Sequence, residues 1–135
     1  MEMNMDLAKK IVDACYEDAK KKGLDMVFAV VNKHGELLAF NRMDEALLVS
    51  TKLAENKAWT AAALKMSTAE LNLLIQPGGE FYGLQNFQDG RVVPFAGGIP
   101  LKSGDKIIGA VGVSGGSGEE DAGVCQAGVD YFNSL

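Results

Sequence analysis

The chain has 135 residues, 47% of them hydrophobic and 23% charged, and carries a net charge of −5, which is the balance of one globular domain over residues 1–135. Its only basic cluster is Lys20-Lys21-Lys22, so the electrostatic footprint of a nucleic-acid or anionic-membrane binder is missing. No apolar run approaches a bilayer span and no basic-then-apolar leader opens the chain, so the expected place is the cytoplasm.

A first helix is expected from about Asp6 to Lys22, with Leu7, Ala8, Ile11, Val12, Cys15 and Ala19 on one apolar face. Gly23 is placed to end it in the left-handed conformation. The run Met26–Val31 reads as a strand covered on both faces. Asn32-Lys33-His34-Gly35 turns the chain, and residues 36–41 return as the second strand of a hairpin. A long helix is expected from about Leu47 to Lys65. Ala54, Ala58, Ala61 and Ala62 make one side of it small, which favours close approach to a sheet or to another copy.

Ser67 and Glu70 have the spacing of a capping box ahead of a short helix that ends at Pro77-Gly78-Gly79. Residues 80–95 are irregular and rich in aromatics: Phe81, Tyr82, Phe87 and Phe95. A loop of this composition is packed down or functional. Residues 98–101 read as an edge strand because Pro100 cannot donate to a central ladder. The most apolar strand follows at Lys106–Ser114. Ser117 and Glu120 form a second capping box, and the last helix runs to about Phe132.

Both strand pairs are joined by hairpin-length connections, so the sheet is mostly antiparallel. With helices before, between and after it, the fold expected is α+β and profilin-like, with about five strands. Cys15 and Cys125 fall on apolar helix faces and read as buried free thiols.

Motifs in this order resemble a known family. They are Arg42-Met43-Asp44, then Ser50 with Ala54, Lys57, Ala58, Thr60 and Ala61, then Ser67-Thr68. Gly97-Gly98-Ile99-Pro100-Leu101 and Ile108–Gly116 with Asp121 complete them. Over nearly the whole chain they are similar to the GlcG/HbpS family, which includes the C-terminal domain of PduO-type cobalamin adenosyltransferases. The resemblance implies a profilin-like sheet, assembly into homo-oligomers, and haem binding in some members. It also implies an accessory place in a pathway such as glycolate or diol and glycerol use.

The chemistry-bearing residues leave alternatives open. Gly115 and Gly116 turn strand into helix and aim backbone N–H groups at one end of the sheet, where they make the turn or also hold a carboxylate. No P-loop lysine and no G-x-G-x-x-G helix entry accompany them, so a nucleotide is not expected. Lys57 pairs with Asp44, meets a ligand carboxylate, or reaches water with its amine. Arg42 and Asp44 leave a strand end, as ligand contacts or as an ion pair or helix cap.

His34 is the only histidine. It is the axial ligand if iron is bound, or else an exposed turn residue. Tyr82, Cys15 and Met66 are fallback ligands, and a zinc site within one chain is not expected. Gly112-Val113-Ser114-Gly115-Gly116 matches G-x-S-x-G without the sheet or histidine a hydrolase needs.

The expectation is therefore a small-molecule-binding protein rather than an enzyme, taking haem, cobalamin or a small carboxylated metabolite. Arg42, Asp44, Lys57, Tyr82, Gly97, Gly98, Ser114 and Gly115 are the candidate ligand contacts, and His34 is the candidate metal ligand. The alternatives are an oligomeric interaction protein without its own ligand, and a weak haem-degrading or cofactor-reducing enzyme.

Overall fold

In the computed structural model, which describes residues 1–135, the chain runs α1 (Met5–Lys21), β1 (Val27–Asn32), β2 (Leu37–Arg42), α2 (Ser50–Leu64) and α3 (Thr68–Leu74). After a 3-10 turn (Leu84–Asn86) and the single turn α4 (Phe87–Gly90) come β3 (Gly98–Ser103), β4 (Lys106–Ser114) and α5 (Gly118–Asn133). The strands form one antiparallel sheet in the order β2-β1-β4-β3. The sheet has four strands, not about five. The segment between α3 and β3 adds none, because Gly83, Gln88, Asp89 and Gly90 all have positive φ and break any extended run.

The sheet is covered on both faces, which explains the uninterrupted apolar sequence of β1. Phe28, Val30, Val111 and Val113 pack with Ile11, Val12 and Cys15 of α1 and Val124, Cys125 and Val129 of α5. Val27, Ala29, Val31 and Ala110 pack on the other side with Ala54, Ala58 and Ala61 of α2. The alanine face of α2 therefore serves the sheet. At Gly112 the approach is closest: an added Cβ would lie 2.0 Å from the Ala54 carbonyl oxygen and 2.6 Å from the Ala58 nitrogen.

Local signals act where the residues place them. Asn4 Oδ1 accepts from the Leu7 N–H at 2.9 Å and opens α1. At its end Gly23, φ +69°, donates to Lys20 O, and Leu24 donates to Ala19 O, the paired bonds of a Schellman turn. Ser117 and Glu120 exchange both bonds of a capping box, at 3.2 and 2.9 Å. Ser67 and Glu70 make only half of one. The Ser67 hydroxyl accepts from the Glu70 N–H and donates to its carboxylate, both at 3.1 Å, so that carboxylate does not cap the Ser67 backbone.

The long helix begins at Ser50, three residues later than the apolar pattern implies. Arg42 holds the carbonyls of Ala46 and Leu47 through its guanidinium, which keeps those residues in a turn ahead of α2.

Both cysteines are buried and unpaired. Burial pushes the Cys15 thiol from its ordinary 9.0 up to about 12, against a smaller lowering by the Gly128 N–H, and raises Cys125 well above 9.0. Thiols held protonated and enclosed are poor nucleophiles, so neither should react with a disulfide reagent until the protein unfolds. Because the unfolded thiols ionise first, stability should be intact below pH 9 and fall as pH rises from 9 toward 12. Urea melts across that range check the sign; a stability that rose with pH there would contradict it.

Candidate functional site

A hollow of about 470 Å³ opens between α2, the Pro94–Ala96 segment and the β4–α5 turn. This size is usual for a small-molecule site. Leu47, Val49, Leu53 and Phe95 line its apolar side, while Ser50, Lys57, Ser114 and Asp121 form a polar floor. Leu47, Val49 and Phe95 are exposed, and the four floor residues are at most 4% exposed.

The floor is organised around Lys57. Its Nζ donates to Asp121 Oδ2 at 2.8 Å and to the Val113 carbonyl at 3.0 Å. The other Asp121 oxygen accepts from the Gly116 N–H at 2.8 Å. The carboxylate seated on the glycine turn is thus the protein's own, and it neutralises the lysine at the same time. Ser114 Oγ donates to Ser50 Oγ at 3.2 Å.

Glycines permit this closure. At Gly97, φ +123°, a Cβ would lie 2.5 Å from the Val113 carbonyl oxygen and 3.0 Å from Lys57 Nζ. At Gly98 it would lie 2.5 Å from the Lys57 carbonyl oxygen. At Gly115 it would meet the Asp25 carbonyl oxygen at 2.5 Å. Gly97 and Gly98 seal the ion pair from outside the hollow, whereas Gly115 lines the hollow itself.

The remaining candidates lie elsewhere. Asp44 borders a second hollow of about 380 Å³ with Tyr16, Asp25, Phe28 and Arg42, and it is not the partner of Lys57. Arg42 donates to the carbonyls of Ala46 and Leu47 and to Thr51 Oγ1, so its guanidinium fastens the loop before α2. Tyr82 is 59% exposed and outside the lining of all three hollows described, although Phe95 from the same aromatic segment reaches the first.

His34 borders a third hollow of about 450 Å³ at the hairpin end of the sheet. Its neighbours there are the apolar Met1, Met3, Ile107 and Ile108, the cationic Lys33 and Lys106, the anionic Glu2, and Asn32. The His34 N–H donates to Asn32 Oδ1 at 2.9 Å, which fixes the turn.

Sequence reasoning brought Lys57, Ser114 and Gly115 together but missed three contributors. These are Asp121 as the partner of Lys57, the Ser50 hydroxyl, and Leu53 on the wall. A signal for the first was present. One turn away from Lys57 on its own helix lie Leu53, Ala54, Thr60 and Ala61, none of them acidic, so a buried ammonium there requires an anion from another element.

A family model described as haem degrading protein HbpS-like matches residues 3–130. The chain is 41% identical over 128 residues to an uncharacterized 15.0 kDa protein of the dhaT-dhaS intergenic region of Citrobacter freundii, covering 95% of this chain and 90% of that one. It is 40% identical over 124 residues to the corrinoid adenosyltransferase PduO of Salmonella typhimurium, covering 92% of this chain but only 37% of that protein. A crystal structure of a PduOC:heme complex superposes with a TM-score of 0.93 at 38% identity, covering 96% of this chain and 94% of that one. With the model spanning nearly its whole length, and the same sheet and helices in a relative of known structure, this chain belongs to the HbpS-like family.

Proposed function

We propose that this chain binds a haem-type tetrapyrrole at the hollow beside the β1–β2 hairpin. The observation that carries the reading is the 38% identity over 96% of the chain to a relative crystallised with heme. The choice of hollow rests on His34: of the three hollows described, only the one at the hairpin is lined by a histidine. The Lys57 hollow is lined by no imidazole, thiolate, thioether or phenol, and its one ammonium, paired with Asp121, has no lone pair to give an iron. The hairpin hollow offers the imidazole of His34, the thioethers of Met1 and Met3, and two ammonium groups.

These residues fit the group. His34 would hold the iron, Lys33 and Lys106 would face the two propionates, and Ile107, Ile108 and the methionines would cover ring surface. When bound, haem supplies a redox-active iron with ligand-exchange chemistry. The chain's own part is to orient the ring and exclude water from one face.

Haemin titration should give a saturable Soret shift, and His34→Ala should weaken binding at least about tenfold with an altered band position. Lys33→Ala and Lys106→Ala should each weaken it about two- to fivefold, as exposed charge pairs do. No Soret shift in the parent protein would remove the haem reading. An unchanged spectrum in His34→Ala would remove the hairpin as its site. Cobalamin in the same titration tests the corrinoid alternative, which the name of the PduO relative supports.

The family description as haem degrading supports a second reading. It predicts loss of the Soret band over time when a reductant is added to the loaded protein; a band that persists would oppose it.

Self-association belongs to the same proposal. Leu47, Leu48, Val49, Leu73, Phe81, Tyr82, Phe87 and Phe95 are all more than 45% exposed, more apolar surface than scattered single residues require. Light scattering should report more than one chain per particle; a mass of 14.3 kDa would contradict it. No helix is long and apolar enough to cross a membrane, and the free thiols of Cys15 and Cys125 suit the reducing conditions of the cytoplasm.

A further inference from the structure

The Lys57 hollow has features that the haem reading leaves unused. Lys57, Ser50 and Ser114 are 2%, 1% and 3% exposed, yet all three line the same 470 Å³ space. An ammonium group has three N–H donors. Two are taken, by Asp121 and by the Val113 carbonyl. The two serine hydroxyls hold one proton each, and a single bond joins them, so one of those protons is free as well. Two donors are therefore without a protein partner on residues that line a hollow whose outer walls are Leu53, Pro94 and Phe95.

Charge decides what kind of acceptor suits them. The Lys57–Asp121 pair is neutral as a unit, and Asp121 already takes the Gly116 N–H. A ligand carboxylate would bring a second anion beside Asp121 with no further cation lining the hollow. A neutral carbonyl oxygen would accept both free donors and leave the charge balance intact. We propose that this hollow is a binding site for small neutral carbonyl compounds, ketones or aldehydes with a short apolar body. The carbonyl oxygen sits on Lys57 Nζ and a serine hydroxyl, and the carbon chain lies against Leu53 and Phe95. The site lies apart from the hairpin hollow and shares none of its lining residues, so it needs no tetrapyrrole.

The test is an amide-shift NMR titration of the haem-free protein with butanone, with butyrate as the charged control. A five-atom probe binds on the order of millimolar. Saturable shifts are expected at the amides of Ser114, Gly115, Gly116 and Asp121, with butyrate at least about tenfold weaker. Ser50→Ala should weaken butanone about three- to tenfold, the worth of one hydrogen bond. Leu53→Trp, which fills the hollow without touching the ion pair, should abolish the shifts while the rest of the spectrum stays folded.

Three results would overturn the proposal. They are the absence of saturable shifts with butanone, butyrate binding as tightly as butanone, and unchanged binding in Leu53→Trp. None of these bears on the Soret titration, so the two proposals fail separately.

Discussion

Lys57→Met is expected to destabilise the protein by about 3–5 kcal/mol, the usual cost of leaving one member of a buried ion pair behind. Asp121 is 4% exposed, and Lys57 Nζ is its only charged partner, at 2.8 Å. Methionine fills the same space without supplying a cation. The Gly116 N–H would still donate to the carboxylate, but one neutral donor does not solvate a buried charge.

The diagnostic variant is the double replacement Lys57→Met with Asp121→Leu. It removes both charges and should recover much of the loss, because a buried pair is dear to break and cheap to replace whole. Urea denaturation of the two variants measures this. A double variant no better than Lys57→Met would show that the pair's contribution lies in the bonds to Val113 and Gly116 rather than in the charges.

The second large effect is at Gly112, where alanine should cost about 3 kcal/mol or more, the upper end for an overpacked core. The added Cβ meets the Ala54 carbonyl and the Ala58 nitrogen, at 2.0 and 2.6 Å. Both are helix backbone, so no side-chain rotation relieves the clash and α2 must move off the sheet as a body. Its movement would also carry Lys57 and Ser50 away from Asp121 and Ser114.

Gly104→Ala is the control. Gly104 sits at φ +63° with nothing within 4 Å of an added Cβ, so only the left-handed backbone penalty of about 1–2 kcal/mol applies. Equal midpoint shifts in the two variants would mean that α2 does not rest on the sheet at Gly112.

The two variants also mark where sequence reading stops. Much of the local chemistry was legible. Gly23, Ser117 and Pro100 act within a few residues of themselves, so their helix caps and edge position followed from residue type and spacing. The apolar period of α1 and the unbroken run of β1 were equally plain, because burial on one face or on two leaves different patterns. The small face of α2 was visible as composition, but whether a sheet or another copy lay against it was not.

The candidate site divided along the same line. Lys57, Ser114 and Gly115 sit on motifs whose chemistry is written in their residue types. Their common hollow depends on β4 lying beneath α2 and on α5 starting where β4 ends. Arg42 and Asp44 belong to the same motif series yet face a different hollow, because the chain leaves β2 on the side of Tyr16 and Phe28.

What the amino-acid order alone determined, then, is the order of the main helices and strands, most of their ends, and a short roster of polar residues among small ones. Each of these is decided by interactions over a few positions. Only the tertiary structure decided that Lys57 answers to Asp121, 64 residues later, and that His34 stands with Lys33, Lys106 and the N-terminal methionines. A buried charge takes whichever counter-charge the packed layers bring within about 3 Å, and that choice is made by the sheet and not by any neighbour in the chain.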